Sequence, residues 1–391
     1  MPASEVRSVT VVGAGLAGLQ TVVALRQRGY AGRLTMLGAE PHRPYDRPPL
    51  SKAVLLGDAE DSGLDVDWPA LDVDLRLGEP ATSLDEVRSA GAVVLATGAI
   101  ARTLPGAPEA GALTLHTVED CRALRGQLVR GARVVVVGAG WIGAEVATAA
   151  RRRGADVTVV EAGATPVPAA LPAEVGRRMV GWYAEGGARL LLGSAVVAVE
   201  PGAVHLTDGT ELRADVVVVG IGARPDTGWL AGSDVALDAE GRVEADSSLR
   251  TSVAGVVAAG ACASWPSARY GRRLSMEHWD HALHSPLVAA ATTLGEPATY
   301  DPVPYVWSEQ WGRVFQQAGQ ETDAAGLVWG EAADRTWAVF WVDGQRLVAV
   351  AAVDRHRDVS QARRLMERET PVDVAALADP TVPVRMAGLA G

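Results

Sequence analysis

Two sets of three glycines recur 125 residues apart in a chain of 391. The first, Gly13, Gly15 and Gly18, stands in SVTVVGAGLAGL (residues 8–19). The second, Gly138, Gly140 and Gly143, stands in RVVVVGAGWIGA (residues 133–144). The spacing G-x-G-x-x-G suits a dinucleotide. Its first glycine makes a tight turn, its second lets the backbone approach a pyrophosphate, and its third lets helix and strand pack closely. The pyrophosphate then rests on a helix N-terminus, where free N–H groups and the helix dipole favour an anion. An acid about 20 residues further on is expected to hold the adenosine ribose. Glu161, at the end of DVTVVE, fits that place for the second set. Glu40 serves the first set, two residues past the strictly aligned position, which is Gly38. A carboxylate at 161 accepts from a ribose 2′-hydroxyl and repels a 2′-phosphate. No arginine follows it in EAGATPVP, so NADH is expected rather than NADPH.

A second candidate lies in RPYDRPPLSK (residues 43–52). Lys52 is the only lysine, although arginine is abundant, asparagine is absent and isoleucine occurs three times. A composition drifting from lysine to arginine keeps a lysine where a compact point charge is needed, because the two cations are not interchangeable. The prolines before it restrict the backbone and lower the entropy lost on ordering.

These residues need rigid elements to place them. Each glycine set is preceded by a β-branched run, the mark of a buried parallel strand, and followed by a helix-like segment: LQTVVALRQRG and AEVATAARRRG. A second strand follows each, RLTMLG and DVTVVE. Three further apolar runs end in glycine turns: VVLATGA (93–99) with Thr97 and Gly98, VVVVGIGARPD (216–226) with Gly222, and GVVAAGACAS (255–264) with Gly260. Two βαβ units in one chain imply an α/β fold with two dinucleotide sites. No run of 18 apolar residues occurs and no basic leader precedes the first strand, so a cytoplasmic protein without a membrane span is expected. A net charge of −11 argues against nucleic acid as a partner. Cys121 and Cys262 form no CxxC, which disfavours a dithiol centre. His278, His281 and His284 recur every three residues without supporting cysteines. They are read as part of a helix, and no metal is expected.

With these motifs in hand, the chain resembles the FAD-containing, NADH-dependent ferredoxin and rubredoxin reductases that serve cytochromes P450 and ring-hydroxylating dioxygenases. The resemblance is carried by PYDRPPLSK, GAGWIGAEVA with TVVE, GIGARPD, EHWDHA (277–282) and PYVWSEQWGRVFQQAG (304–319). It implies two Rossmann-like FAD- and NAD(P)-binding domains of the glutathione-reductase type plus a C-terminal α+β domain. The FAD domain would comprise residues 1–106 and 226–300, the NAD domain 107–225, and the C-terminal reductase domain 301–391. By resemblance, Arg47 and Pro48 face FAD, with Arg47 toward its pyrophosphate. Lys52 lies by the hydride-accepting edge and pairs with Glu145, and Trp279 and Trp307 neighbour the rings. The implied partner is a [2Fe–2S] ferredoxin-like protein, and the implied state is monomer or homodimer. An acidic ferredoxin would need a local basic patch on this acidic chain. The candidates are Arg269, Arg272 and Arg273, or Arg355-His356-Arg357 with Arg363 and Arg364.

Three departures from that family stand out. Its third flavin motif usually reads Gly-Asp-Cys, with the aspartate on the ribityl chain; here Gly260-Ala261-Cys262 is expected to weaken FAD binding. The first half is shorter than its copy: 29 residues separate Gly193 from Gly222, with a hairpin turn at Asp208-Gly209, against 20 between Gly78 and Gly98. Pro286 falls inside the helix after EHWDHA and is expected to bend or restart it. Two rival functions follow: a flavoenzyme acting directly on a small molecule or oxygen, and a non-catalytic homologue that has lost FAD.

Overall fold

The computed structural model describes residues 6–88, 91–321, 326–329 and 335–389. The chain divides into two compact units.

The first unit comprises Met1–Asp46, Gly63–Ile100 and Ala223–Val306. Its centre is a five-stranded parallel sheet in the order Val256–Ala258, Ala92–Leu95, Ser8–Val12, Arg33–Gly38, Val73–Leu77. Both faces of such a sheet are covered, so its strands read as continuous apolar runs. Val9, Val11, Val93, Val94 and Leu95 are accordingly buried. The helices Leu16–Gln27 and Trp279–Thr293 pack against each other, and residues of both enter one core with Leu34 and Met36. Each fully buried Leu or Met of this kind contributes about 1.5–3 kcal/mol. The last helix runs unbroken through Pro286, so the expected restart does not occur. Proline removes a main-chain donor. The preceding Ser285 adds a bond of its own, its Oγ donating to the His281 carbonyl at 2.7 Å, and Ser285 and Pro286 are both buried.

The second unit comprises Arg47–Ser62, Ala101–Gly222 and Trp307–Gly391. A four-stranded parallel sheet, in the order Val216–Val219, Arg133–Val137, Asp156–Val160, Arg189–Leu191, carries the second glycine set. After its last strand comes an antiparallel trio, Val196–Glu200, Ala203–Leu206 and Glu211–Arg213, with Gly209 at φ +85° in the turn. The corresponding stretch of the first unit holds a short helix, Leu84–Arg88, instead. That is the physical content of the length difference between the halves. The chain ends in a five-stranded sheet in the order Tyr305–Gln310, Arg313–Gly319, Arg346–Val353, Trp337–Asp343, Gly326–Trp329, covered by the helix His356–Glu367.

The proline-rich segment is ordered. Pro48–Ser51 forms a 3₁₀ turn and Ala53–Leu56 a single helical turn, with Lys52 at the joint. Cys121 Sγ donates to the Leu50 carbonyl at 3.1 Å, and Arg153 Nη1 to the Leu56 carbonyl at 3.1 Å, which fixes the segment within the second unit. Among the described residues no helix is long and apolar enough to cross a membrane.

Candidate functional site

The first glycine set performs three separate tasks. Gly13 sits at φ +114°, and a Cβ there would fall 2.2 Å from the Ala96 carbonyl oxygen. A Cβ on Gly18 would fall 1.9 Å from the Gly13 oxygen, so helix and loop touch through bare backbone. Gly15, extended at the N-cap of Leu16–Gln27, has nothing within 4 Å of its would-be Cβ and no side-chain cap. The first-turn N–H groups therefore have no capping side chain and face open space, which a pyrophosphate fits. Gly98, at φ +73°, is equally open, and Thr97 Oγ1 donates to the Asp226 carbonyl at 2.6 Å. Gly38 holds no acid because it has no room: a Cβ there would meet the Ala14 Cβ at 2.6 Å. Glu40, two residues later, accepts from Tyr45 Oη at 2.6 Å.

The third glycine turn is clasped from both sides. The Gly260 N–H donates to Ser285 Oγ at 2.9 Å, and the Gly260 oxygen lies 3.0 Å from His281 Nε2. A carbonyl only accepts, so Nε2 carries the proton and Nδ1 accepts from Tyr300 Oη at 2.7 Å. Burial pushes the His281 pKa down to about 4, which keeps the ring neutral. Ala261, half-buried, follows with only a methyl group. Trp279 opens its helix and donates from Nε1 to Asp46 Oδ1 at 2.8 Å.

The second set repeats the design in the second unit. Gly138 lies at φ +100°, where a Cβ would fall 2.3 Å from the Gly220 oxygen. A Cβ on Gly143 would fall 2.0 Å from the Gly138 oxygen, whereas Gly140 has only the Gly220 oxygen, at 3.8 Å. Gly222 is open at φ +96°. Glu161 is buried at the strand end. Its Oε2 accepts from the Ala139 N–H at 2.8 Å and its Oε1 from the Gly163 N–H at 2.7 Å. Each oxygen keeps a further lone pair for a sugar hydroxyl.

Lys52 and Glu145 meet. Lys52 Nζ lies 2.7 Å from Glu145 Oε2, with the lysine side chain 20% exposed and the glutamate 4%. Three more donors converge on the carboxylate: Ser51 Oγ on Oε2, and Ser308 Oγ (2.6 Å) and the Glu309 N–H (3.3 Å) on Oε1. Gln310 Nε2 in turn donates to Ser308 Oγ at 3.2 Å. Ser51, Ser308 and Gln310 were not singled out from the sequence, although they stand inside RPPLSK and WSEQ; a hydroxyl or amide gives no sign of its partner's identity. Arg47 donates to the His116 carbonyl, Pro48 opens the 3₁₀ turn, and Trp307 is half-buried on the strand Tyr305–Gln310. Trp279 belongs to the first unit, whereas Arg47, Lys52, Glu145 and Trp307 belong to the second.

The cysteines offer no redox pair. Cys121 and Cys262 are buried and free, one in each unit, and burial pushes both thiols up in pKa. A reactive thiolate requires the opposite.

Residues 7–285 match the pyridine nucleotide-disulphide oxidoreductase family, and residues 305–387 match the reductase C-terminal family. The ferredoxin–NAD(+) reductase component of the anthranilate 1,2-dioxygenase system of Burkholderia cepacia is 37% identical, over 95% of this chain and 97% of that one. The crystal structure of Fdr9 superposes with a TM-score of 0.90 at 43% identity, covering 97% and 99% of the two chains. The reductase in the covalent putidaredoxin reductase–putidaredoxin complex gives a TM-score of 0.92 at 29% identity, covering 97% and 98%.

Proposed function

Since the chain belongs to the pyridine nucleotide-disulphide oxidoreductase family and carries the reductase C-terminal region, we propose that it is the NADH-dependent reductase of an oxygenase system, feeding a [2Fe–2S] ferredoxin. It is an oxidoreductase that uses FAD and NAD(H). The division of labour is residues 1–106 and 226–300 for FAD, 107–225 for NADH and 301–391 as the reductase C-terminal part. The observation that carries the reading is the doubled glycine cradle: two helix N-termini, each kept open by a glycine with free space above it, on a chain with no reactive cysteine pair.

FAD, when bound, supplies the conversion of a two-electron donor into single electrons. The chain's residues hold and orient the cofactors. Gly13, Gly15 and Gly18 present bare N–H groups to the FAD pyrophosphate, and Glu40 accepts from its ribose. Thr97, Gly98, Gly260 and Ala261 form the remaining backbone wall in the first unit, with Trp279 as a side-chain neighbour; Arg47, Pro48 and Trp307 of the second unit are assigned to the cofactor by the resemblance alone. Gly138, Gly140, Gly143, Glu161 and Gly222 do the same for NADH. Lys52 and Glu145 are the catalytic pair: a buried carboxylate with four donors holds one ammonium group in place, so that its charge is preorganised where negative charge develops. The partner is a [2Fe–2S] protein and the setting is the cytoplasm.

The test is spectroscopic. The purified protein is expected to be yellow, or to become so with added FAD. It should bleach with NADH under anaerobic conditions and then reduce a haem reporter only when ferredoxin is present. Bleaching without ferredoxin dependence would reassign it to direct reduction of a small molecule or oxygen. A chain that takes up no FAD would be a binding subunit.

A further inference from the structure

The helix His356–Glu367 carries both acids and arginines, and the structure sorts them. Asp358 is paired with Arg355 at 2.7 Å and Glu367 with Arg363 at 3.1 Å. That leaves Arg357 and Arg364, seven residues apart, and Arg368 four residues further on, which share one helical face. Across from them the 3₁₀ turn Val384–Ala387 delivers Arg385, whose backbone N–H donates to Gln361 Oε1 at 2.9 Å and so ties the turn to the helix. The four arginines line one open groove of about 610 Å³, together with Gln361 and Ser360 and with no carboxylate among the lining residues. Among the described residues none of the four guanidinium groups has an ion pair or a hydrogen bond, and all four residues are exposed. Met386, 63% exposed, and Leu389, 38% exposed, are the chain neighbours of the lining residues Arg385 and Gly388.

Four unpaired cations gathered on a chain of net charge −11 raise the local potential against the charge of the whole. The occupant must be anionic. The groove is open and its arginines are exposed, whereas a small-molecule site encloses most of its ligand. An extended polyanion such as nucleic acid would meet the acidic remainder of the surface. A compact acidic face on a globular protein engages the arginines and covers Met386 and Leu389. The rival basic cluster is committed elsewhere: Arg273 Nη2 donates to the Ala245 and Ser264 carbonyls at 2.8 and 2.7 Å.

We propose that the groove of Arg357, Arg364, Arg368 and Arg385 is the docking surface for the acidic iron–sulfur protein that this chain reduces. The assignment rests on the reductase reading above. It also revises which arginines of the helix matter, since Arg355 and Arg363 are internally neutralised.

The experiment compares the FAD-loaded wild type with Arg364→Glu, Arg368→Glu and a control charge reversal at exposed Arg213. The NADH-driven acceptors are a panel of acidic [2Fe–2S] ferredoxins that includes putidaredoxin, and a small neutral quinone. At low salt the two groove variants are expected to lose roughly tenfold in kcat/KM for at least one ferredoxin that the wild type reduces. The gap should close as salt screens the charges. Quinone reduction, and the Arg213→Glu variant throughout, should match the wild type. Equal ferredoxin kinetics in wild type and groove variants would overturn the surface and leave the reductase reading standing. Quinone reduction with no ferredoxin reduced by the wild type would overturn that reading and the surface with it.

Discussion

The carboxylate of Glu145 accepts from four donors that reach it from two separated stretches of chain, 51–52 and 308–309. Removing it strands Ser51, Lys52 and Ser308 in a buried place. Glu145→Ala should therefore cost about 3–5 kcal/mol, and Ser308→Ala, which removes one charge-assisted bond, about 1.5–3 kcal/mol. Urea unfolding midpoints measure both, and midpoints within error of wild type would show that the convergence is absent in solution. Ala261→Asp should tighten FAD by about 10- to 100-fold, the equivalent of one charged hydrogen bond; equilibrium dialysis reads it directly. His281 sets a pH dependence. The unfolded imidazole titrates near 6.5 and the folded one near 4, so below about 6.5 the unfolded chain takes up a proton that the native ring refuses. The stability contributed by this histidine falls as pH drops through that window, by up to about 3 kcal/mol, and is constant above it. His281→Gln should reduce the slope of unfolding free energy between pH 6.5 and 4, with His278, whose pKa burial also lowers to about 4, supplying part of the remainder; an unchanged slope would assign it to other groups. At this scale Lys52 and the glycines stood out, because charge scarcity and spacing mark them, whereas Glu145 came only from the family resemblance. Their hydroxyl and amide partners were not, since Ser308 lies 163 positions from Glu145 in sequence. The displacement of the acid from Gly38 to Glu40 was visible, but its cause, the Ala14 methyl, is purely three-dimensional.

At the scale of elements, the two strand–loop–helix units are held by contacts that tolerate no side chain. Gly18→Ala should weaken FAD binding and Gly143→Ala should weaken NADH binding, each with little effect on the other nucleotide, because each Cβ would fall about 2 Å from a carbonyl of its own loop only. Calorimetric titration with each nucleotide checks this, and equal losses of both in one variant would refute the independence. The β-branched runs announced the parallel strands plainly. Pro286 did not restart its helix, and local sequence rules could not foresee that the Ser285 hydroxyl would bond the His281 carbonyl beside it. The 3₁₀ turn Pro48–Ser51 was foreseen only as a stiff loop, and its order comes from distant donors such as Cys121.

For the whole molecule, the final segment clusters with Ala101–Gly222 in one compact unit. The Trp311 ring lies 4.9 Å from that of Tyr183, tilted by 54°, on a site where Gly186 leaves room for the indole, and the Trp311 backbone N–H donates to Thr148 Oγ1 at 3.1 Å. Arg313 pairs with Glu185 and lies 5.1 Å above Trp182. A chain ending at residue 306 should therefore lose the cooperative melting of residues 101–222, not merely the C-terminal sheet. Calorimetry with limited proteolysis would show it, and a truncated form melting like the full chain would contradict it. None of this was legible in the sequence, because nothing in WSEQWGR says where its indoles will sit. The two thiols have a practical corollary. With one sealed inside each unit, neither is open to alkylation until its surroundings come apart. Mass tagging of Cys262 and Cys121 would thus time the opening of each half separately, giving the protein a pair of internal clocks that need no engineering.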